Sequence, residues 1–302
     1  MGNVAASVRQ RLLNLARSGN RPFAELLQYY AMERFLYRLS VSDHAQCFVL
    51  KGALMLRVWD APMHRPTLDV DLLGITSREQ ERLVAQIQEI MLVQVKADGL
   101  VFDPSSVLFE PITEEAGYPG ARIRFTGTLG VARVHLQIDI GFGDVVHPQP
   151  QLAVLPSLLD APLPRLLCYS RESAIAEKFE TLVKLGALNS RMKDFYDVWA
   201  LSRQFDFDGV TLAEAIRLTF ERRGTALPAR VEAFSEGFIQ AKQGQWTAFR
   251  KRLEPVDMPL AFGDVVAGVA LFLAPIAADI QGKAKKPQTW IAPGPWMFQE
   301  KS

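Results

Sequence analysis

The stretch that decides the fold is Arg65-Pro-Thr-Leu-Asp-Val-Asp-Leu-Leu-Gly74, in which acidic and apolar residues alternate. This period-two spacing is typical of a β-strand and puts the side chains of Asp69 and Asp71 on the same face. Val70 and Leu72 then point to the opposite face, into the core. Two neighbouring carboxylates repel each other, and a hard divalent cation with oxygen ligands, Mg²⁺ or Mn²⁺, relieves that repulsion. The pattern therefore predicts a metal-binding strand.

A third carboxylate is expected on a neighbouring strand. Apolar residues alternate with polar ones between positions 131 and 140, in the order Arg133, Val134, His135, Leu136, Gln137, Ile138, Asp139 and Ile140. The apolar set defines the core face, so Asp139 lies on the other face. Three converging carboxylates can hold one or two metal ions that activate an attacking hydroxyl and stabilise a leaving pyrophosphate. We therefore predict Asp69, Asp71 and Asp139 as metal ligands, with general base as the alternative role of Asp139.

The segment before the acidic strand has features of a phosphate-binding loop. A short strand, Cys47-Phe-Val-Leu50, is followed by Lys51, Gly52 and Ala53 and then by an apolar helical turn. A glycine that opens a helix lets backbone N–H groups approach a phosphate. We expect Lys51, Gly52 and Ala53 to bind the nucleotide, with Arg65 as a further phosphate contact. Asp-x-Asp pairs are common on exposed strands, so the pair alone is weak evidence for a catalytic site. The preceding glycine loop strengthens that prediction.

The chain is predicted to have an α+β fold in three parts. Residues 1–45 are expected to form helices packed on the next domain, because an apolar stripe with helical spacing runs through residues 23–30. Residues 46–150 carry the strand patterns of a mixed sheet. A Pro-rich link leads into residues 151–302, which are predicted to form a helical domain with a tail rich in Trp and Pro.

Composition narrows the class of protein. With 302 residues and a formal net charge of +1, the chain can form two modest domains and is not strongly basic, so any nucleic-acid contact must be a local patch. The two cysteines, Cys47 and Cys168, lack disulfide or zinc spacing, and the first residues lack the apolar run of a signal peptide. The most apolar stretch, Val265–Ala278, is interrupted by Gly268 and Pro275 and is predicted as a buried helix. These features predict a soluble cytoplasmic protein without a membrane partner.

Two separated blocks of sequence resemble one known family. The first block is Phe48-Val-Leu-Lys-Gly-Ala-Leu-Met-Leu56 with Arg65–Leu73, and the second is Ala176–Val183 with Asn189–Asp197. Together they resemble the AbiEii/AbiGii toxin family within the polymerase-β-like nucleotidyltransferase superfamily. The resemblance implies a nucleotidyltransferase domain with a mixed sheet, followed by an α-helical domain. Ala53 departs from the wider superfamily, which has Ser at this position, so backbone contacts must hold the phosphate there.

The resemblance also implies roles for residues of the second block. Lys178 would contact the triphosphate, and Asp194 or Asp197 would lie at the catalytic cleft and orient Lys178 or the acceptor. From the residues alone, Lys178 can equally be a solvated lysine and the two aspartates surface charges of one helix face. In some relatives, phosphorylation of a Ser or Thr in the first block inactivates the toxin, which makes Thr67 a candidate regulatory phosphosite.

The activity that the resemblance implies is transfer of a nucleoside monophosphate from an NTP, with release of pyrophosphate. The expected acceptor is the 3′ end of tRNA, which would block translation, and the expected partner is a cognate antitoxin. A modest basic cluster could hold the acceptor stem: Arg250, Lys251, Arg252, Lys283, Lys285 and Lys286. Two alternatives stay open. One is a nucleotidyltransferase that modifies a protein hydroxyl or a small molecule, and the other is a non-catalytic nucleotide-binding module that acts through a partner protein.

Overall fold

The computed structural model describes residues 4–61, 67–113, 119–253, 258–283 and 287–298. Its contacts divide the chain into two compact units. The first unit comprises Met1–Gly143 and Pro150–Tyr169, and the second comprises Asp144–Gln149 and Ser170–Ser302. The first unit holds a mixed sheet with helices and the second is largely helical, so the predicted α+β class is confirmed.

The first unit contains both helices and strands. Its described helices are α1 (Val4–Ser18), α2 (Phe23–Ser40), α3 (Met55–Val58) and α4 (Gln80–Leu92). Its described strands are β1 (Phe48–Lys51), β2 (Val70–Gly74), β3 (Leu100–Thr113), β4 (Pro119–Leu129), β5 (Ala132–Phe142), β6 (Gln151–Val154) and β7 (Arg165–Cys168). The strands form one seven-stranded sheet in the order β3-β4-β5-β2-β1-β7-β6.

Two parallel pairings make this sheet mixed. Strand β2 runs parallel to β5 and β1 runs parallel to β7, whereas the other neighbouring strands are antiparallel. Asp71 is paired with Asp139 in the β2–β5 ladder, and Lys51 is paired with Asp71 in the β1–β2 ladder. Because directly paired residues project from the same face of a sheet, this register brings polar side chains of three strands together.

Helix α2 packs inside the first unit, and 12 of its 18 residues are buried. Buried charges require partners. Arg38 donates hydrogen bonds from both terminal nitrogens to Asp98, at 2.7 and 3.2 Å. Glu33 accepts hydrogen bonds from the Ser157 hydroxyl and from the backbone N–H of Leu158. Helix α2 therefore holds both the loop before β3 and the loop between β6 and β7.

Residues 151–168 differ from the sequence-based expectation. The sequence predicts a Pro-rich link at about residues 148–164, in a helical domain that begins at residue 151, whereas the structure forms β6 and β7, and the first unit extends to Tyr169. Each of these strands has only four residues, and their sequences, Gln-Leu-Ala-Val and Arg-Leu-Leu-Cys, do not alternate between polar and apolar residues. The position of β7 is set by its pairing with β1, which is distant in sequence.

The second unit consists mainly of helices. Its described helices are α5 (Arg171–Leu185), α6 (Met192–Gln204), α7 (Gly209–Arg223), α8 (Glu236–Leu253) and α9 (Phe262–Ile280). Three short strands, β8 (Phe207–Asp208), β9 (Pro287–Trp290) and β10 (Trp296–Phe298), form a small antiparallel sheet in the order β10-β9-β8. The prediction of helix throughout the C-terminal part is therefore wrong at these strands.

Two tryptophans anchor the C-terminal tail to the helices of the second unit. The indole N–H of Trp290 donates to the carbonyl of Ser202 at 2.6 Å, and that of Trp296 donates to the carbonyl of Phe272 at 2.8 Å. Both rings also pack against the ring of Phe272, with centroids 4.9 and 5.6 Å away. A tryptophan buries a large apolar area and still needs a partner for its N–H, and both needs are met here.

Helix α9 contains the most apolar stretch of the chain. By length and composition alone its 19 residues could cross a membrane. In the structure one face packs within the second unit, with eight buried side chains: Phe262, Val265, Val266, Val269, Phe272, Leu273, Ile276 and Ala277. The opposite side is more exposed and includes Leu271. This one-sided burial is the pattern of a core helix in a globular unit.

Candidate active site

Three carboxylates converge on one face of the first-unit sheet. Asp71 on β2 and Asp139 on β5 are direct neighbours in the parallel ladder, and Asp69 lies immediately before β2. One oxygen from each carboxylate lies within 4.8 Å of the other two, and all three side chains are partly exposed. The structure therefore brings together the three aspartates that the sequence predicts as a cluster.

The donor chemistry of this cluster suits a divalent cation. Mg²⁺ and Mn²⁺ prefer carboxylate and water oxygens, and Mg²⁺ binds them at about 2.1 Å, so ligand oxygens of one ion lie up to about 4.2 Å apart. The observed limit of 4.8 Å is close to that value, and small rotations of the side chains bring the oxygens into range. Asp69, Asp71 and Asp139 therefore fit such an ion as ligands.

Gly52 makes room for the Asp71 carboxylate. Its φ of +72° lies in the left-handed region, and a Cβ built on it would come within 1.9 Å of Oδ2 of Asp71. Gly52 opens a 3₁₀ turn, Gly52–Leu54, that leads directly into α3. The sequence analysis explains Gly52 by the close approach of the backbone to a phosphate. The structure adds a steric reason, because a side chain at position 52 would displace the Asp71 carboxylate.

Thr67 positions the carboxylate of Asp69. The Thr67 hydroxyl donates to Oδ1 of Asp69 at 2.5 Å, and the Thr67 backbone N–H donates to the Tyr29 hydroxyl at 2.9 Å. Thr67 is only 6% exposed. Burial raises the pKa of Tyr29, although the hydrogen bond from Thr67 acts in the opposite direction. Thr67 therefore lies beside the carboxylates and contacts one of them directly.

Arg122 belongs to this site but is missing from the sequence prediction. It lies on β4 directly opposite Asp139, and its guanidinium donates from Nε to Oδ1 at 2.8 Å and from Nη2 to Oδ2 at 2.7 Å. Hydrogen bonding to Asp139 raises the pKa of Arg122. The guanidinium thus neutralises part of the charge of the three aspartates and orients one of them. The alternation of residues 121–126 places Arg122 on a polar face, but only the β4–β5 register identifies its partner.

A second charged cluster lies within the second unit. Lys178 on α5 contacts both predicted aspartates of α6, with Nζ 3.2 Å from Oδ1 of Asp194 and 2.8 Å from Oδ2 of Asp197. Arg191 donates from Nε to the other oxygen of Asp194 at 2.6 Å. Both aspartates are buried and Lys178 is largely covered. The alternative of a solvated lysine beside surface aspartates is therefore wrong, and both aspartates orient Lys178.

The charges around Asp194 keep this buried carboxyl ionised. Burial acts to raise the pKa of Asp194, but Lys178 and Arg191 outweigh it and lower that pKa to about 2. Its ionised form is therefore a stabilising partner in this cluster at neutral pH.

The remaining predicted site residues are those of the glycine turn, Arg65 and the basic cluster. The ammonium of Lys51 lies 5.0 Å from the ring centroid of Tyr169, and Ala53 is buried in the 3₁₀ turn. Arg65 lies outside the described residues, as do Lys285 and Lys286. Within the described part of the basic cluster, Arg250 donates to the carbonyl of Met258, whereas Lys251, Arg252 and Lys283 are exposed.

A mixed sheet that presents three carboxylates beside a glycine turn fits the nucleotidyltransferase class. Residues 34–268 match the family model described as nucleotidyl transferase AbiEii toxin, type IV TA system. Since this match covers more than half of the 302 residues, the chain belongs to the AbiEii family. The chain is therefore a nucleotidyltransferase toxin of a type IV toxin–antitoxin system. This assignment favours the enzyme over a non-catalytic nucleotide-binding module.

One solved structure supports the fold. The nucleotidyltransferase toxin MenT4 from Mycobacterium tuberculosis H37Rv superposes with a TM-score of 0.56 at 20% identity, over 92% of each chain. A putative nucleotidyltransferase from H. pylori gives a TM-score of 0.46 at 11% identity, covering 86% of this chain and 97% of that one. No curated protein gives a significant match to the sequence.

The first prediction concerns Gly52→Ala. The added Cβ should push the Asp71 carboxylate out of the cluster, so Mn²⁺ binding measured by calorimetry should weaken by at least about tenfold and nucleotide transfer by about 10²-fold. The matched control is Gly244→Ala in α8, where the new Cβ meets nothing within 4 Å and the helix should become more stable by up to about 1 kcal/mol. Wild-type Mn²⁺ affinity in a folded Gly52→Ala variant would contradict the steric argument.

The second prediction concerns Asp194→Asn and pH. The folded-state pKa of Asp194 is lowered to about 2, so its ionisation stabilises the fold fully above the unfolded-state pKa of about 4. This contribution, roughly 2–3 kcal/mol, should fall to about half near pH 3 and vanish below pH 2. Urea unfolding of both proteins at several pH values measures the difference. In a Lys178→Met background the pH dependence should shrink, and parallel pH curves for wild type and Asp194→Asn would contradict the assignment.

Proposed function

We propose that this chain transfers a nucleoside monophosphate from an NTP to the 3′ end of tRNA, blocks translation in the cytoplasm, and is neutralised by a cognate antitoxin. Membership of the AbiEii family supports the toxin and the nucleotidyl transfer. The observation that carries the proposed chemistry is the convergence of Asp69, Asp71 and Asp139 within 4.8 Å. In the proposed reaction the 3′-hydroxyl oxygen bonds to the α-phosphorus, the bond from that phosphorus to pyrophosphate breaks, and the hydroxyl proton passes to Asp139 or water.

The three carboxylates are proposed to hold Mg²⁺ or Mn²⁺. When bound, the ion supplies charge neutralisation for the triphosphate and the departing pyrophosphate. The chain orients the ligands itself, since Thr67 donates to Asp69, Arg122 clamps Asp139, and Gly52 leaves room for Asp71. Groups fixed before the reaction need little reorganisation during it, which is the main source of electrostatic catalysis.

The triphosphate is proposed to bind through the turn at Lys51, Gly52 and Ala53, and the predictions of Arg65 and Lys178 as phosphate contacts rest on the family resemblance. Backbone N–H groups of a glycine turn can approach phosphate oxygens closely. The ammonium of Lys178 is held by two buried aspartates, which fixes its direction. A fixed ammonium neutralises developing phosphate charge better than a mobile surface lysine.

The third prediction tests this function. Purified protein incubated with each labelled NTP, Mg²⁺ and total RNA should label tRNA, and Asp69→Ala or Asp71→Ala should lower labelling by at least about 10²–10³-fold. The fold should survive, because removing one of several repelling carboxylates does not destabilise the protein without metal. Asp43→Ala, which removes an exposed carboxylate of the same unit, is the matched control.

The acceptor and the carboxylates are judged separately in that experiment. Label that appears only in protein or in small molecules overturns tRNA as the acceptor. Near-normal labelling by either aspartate variant overturns the metal-ligand assignment.

The fourth prediction concerns Thr67, which we propose as the site where the antitoxin system silences the enzyme by phosphorylation. A phosphate at Thr67 replaces a hydrogen bond to Asp69 with about −1.5 to −2 charges beside the three carboxylates. It would capture the cation or repel the NTP. Mass spectrometry after co-expression with the antitoxin should find phosphate on Thr67 and none in a Thr67→Val variant. Unmodified Thr67 in a fully neutralised toxin would rule this mechanism out and indicate physical masking.

A further inference from the structure

The face of the sheet that carries Asp139 continues along two strands as a polar strip. Strands β4 and β5 are antiparallel, and their register pairs Arg122 with Asp139, Arg124 with Gln137, and Thr126 with His135. Paired residues share one face, and each step of two residues advances about 7 Å along the strand. The strip therefore begins at the carboxylates and leads away from them along β5.

A cavity of about 360 Å³ lies over this strip, entirely within the first unit. Its lining includes Gln28, Leu68, Leu108, Arg124, His135 and Gln137. This volume is at the lower end of the range for small-ligand pockets and corresponds to about one nucleotide. We call it the β4–β5 groove.

Two leucines give the β4–β5 groove apolar walls. Leu68 and Leu108 are 64% and 63% exposed, although leucine side chains are more often buried. Leu68 directly precedes Asp69, and Leu108 lies on β3 opposite Arg124. The amide of Gln28 donates to the carbonyls of Leu68 and His135, at 3.0 and 2.9 Å, and so holds one wall against the floor. Such walls offer apolar contacts to a flat surface such as the face of a nucleobase.

The floor of the groove offers polar groups that are coupled to the carboxylates. Nε of Arg124 donates to the side-chain oxygen of Gln137 at 3.1 Å, and the amide of Gln137 donates to Asp139 at 3.4 Å. Arg124 also pairs with Glu110, so its charge is shared and the groove is not a strong anion site. Planar guanidinium and amide groups stack on bases and bind base edges in single-stranded RNA. This set therefore favours an unpaired base over a bare phosphate.

The order of the sheet indicates which substrate the groove takes. The proposed nucleotide turn follows β1, on one side of β2, whereas the groove lies over β4 and β5 on the other side. The carboxylates of β2 and β5 lie between these two regions. We propose that the β4–β5 groove binds the unpaired nucleotide at the 3′ end of an acceptor RNA. This inference rests on the proposed function and adds to it the place and chemical form of the acceptor.

The test uses the full chain and a short fluorescent single-stranded RNA, without NTP. Leu108→Ser removes an apolar wall and should weaken binding, measured by anisotropy, by about tenfold, whereas Leu108→Met should restore it. Leu152→Ser is the matched control, because Leu152 is 52% exposed on β6 and lies outside the groove. Calorimetry of NTP and Mn²⁺ binding should give the same values for wild type and for all three variants.

Several outcomes would overturn the groove assignment. The assignment is wrong if the wild-type protein does not bind the RNA, or if Leu108→Ser binds it as tightly as the wild type does. It is also wrong if Leu152→Ser loses as much RNA affinity as Leu108→Ser. Weaker NTP binding by Leu108→Ser without RNA would assign the groove to the incoming nucleotide instead. These binding measurements do not require nucleotide transfer. If the protein never labels tRNA but its RNA affinity still depends on Leu108, the groove remains an RNA-binding site and the proposed tRNA acceptor is wrong.

Discussion

The parallel pairing of β2 with β5 is the constraint on which the site depends, because it fixes Asp71 beside Asp139 on one face of the sheet. Unit charges about 4 Å apart repel by about 1 kcal/mol in water and about 4 kcal/mol near a protein surface. The chain offsets part of this repulsion through the guanidinium of Arg122 and the hydroxyl of Thr67. The remaining negative charge is what a divalent cation would neutralise, so the strand pairing supports the proposed cation site.

The two aspartate clusters show how burial and compensation decide what a carboxylate can do. In the second unit, Asp194 and Asp197 are buried and face Lys178 and Arg191, so two negative charges meet two positive ones. Such a cluster is already neutral and gains little from a cation, and its aspartates serve to orient Lys178. The first-unit carboxylates are partly exposed, and Asp139 is paired with the guanidinium of Arg122. Aspartates in the two clusters thus have different chemistry because their surroundings differ.

Local patterns in the sequence predict the faces of strands but not their neighbours. Alternation around Asp69 and Asp139 was enough to place both carboxylates on polar faces, since side-chain direction repeats every two residues. The pairing of Arg122 with Asp139 depends on the hairpin register, which local alternation does not specify. The short strands β6 and β7 were missed because four residues give too little alternation and the partner of β7 is distant in sequence. The contact of both aspartates with Lys178 likewise depends on how α5 packs against α6.

Helix α2 shows that the site reaches beyond the region the family model matches. The matched region begins at residue 34, yet Gln28 and Tyr29 lie before it. Tyr29 holds the backbone of Thr67, and Gln28 bridges the segment before Asp69 to β5. Both contacts fix the entry into β2, and the directions of the carboxylates depend on that entry. The deep burial of α2, with charged side chains paired to loops of the same unit, makes it a rigid support. Helix α2 is therefore part of the proposed site, because its contacts hold the entry into the strand that carries Asp71.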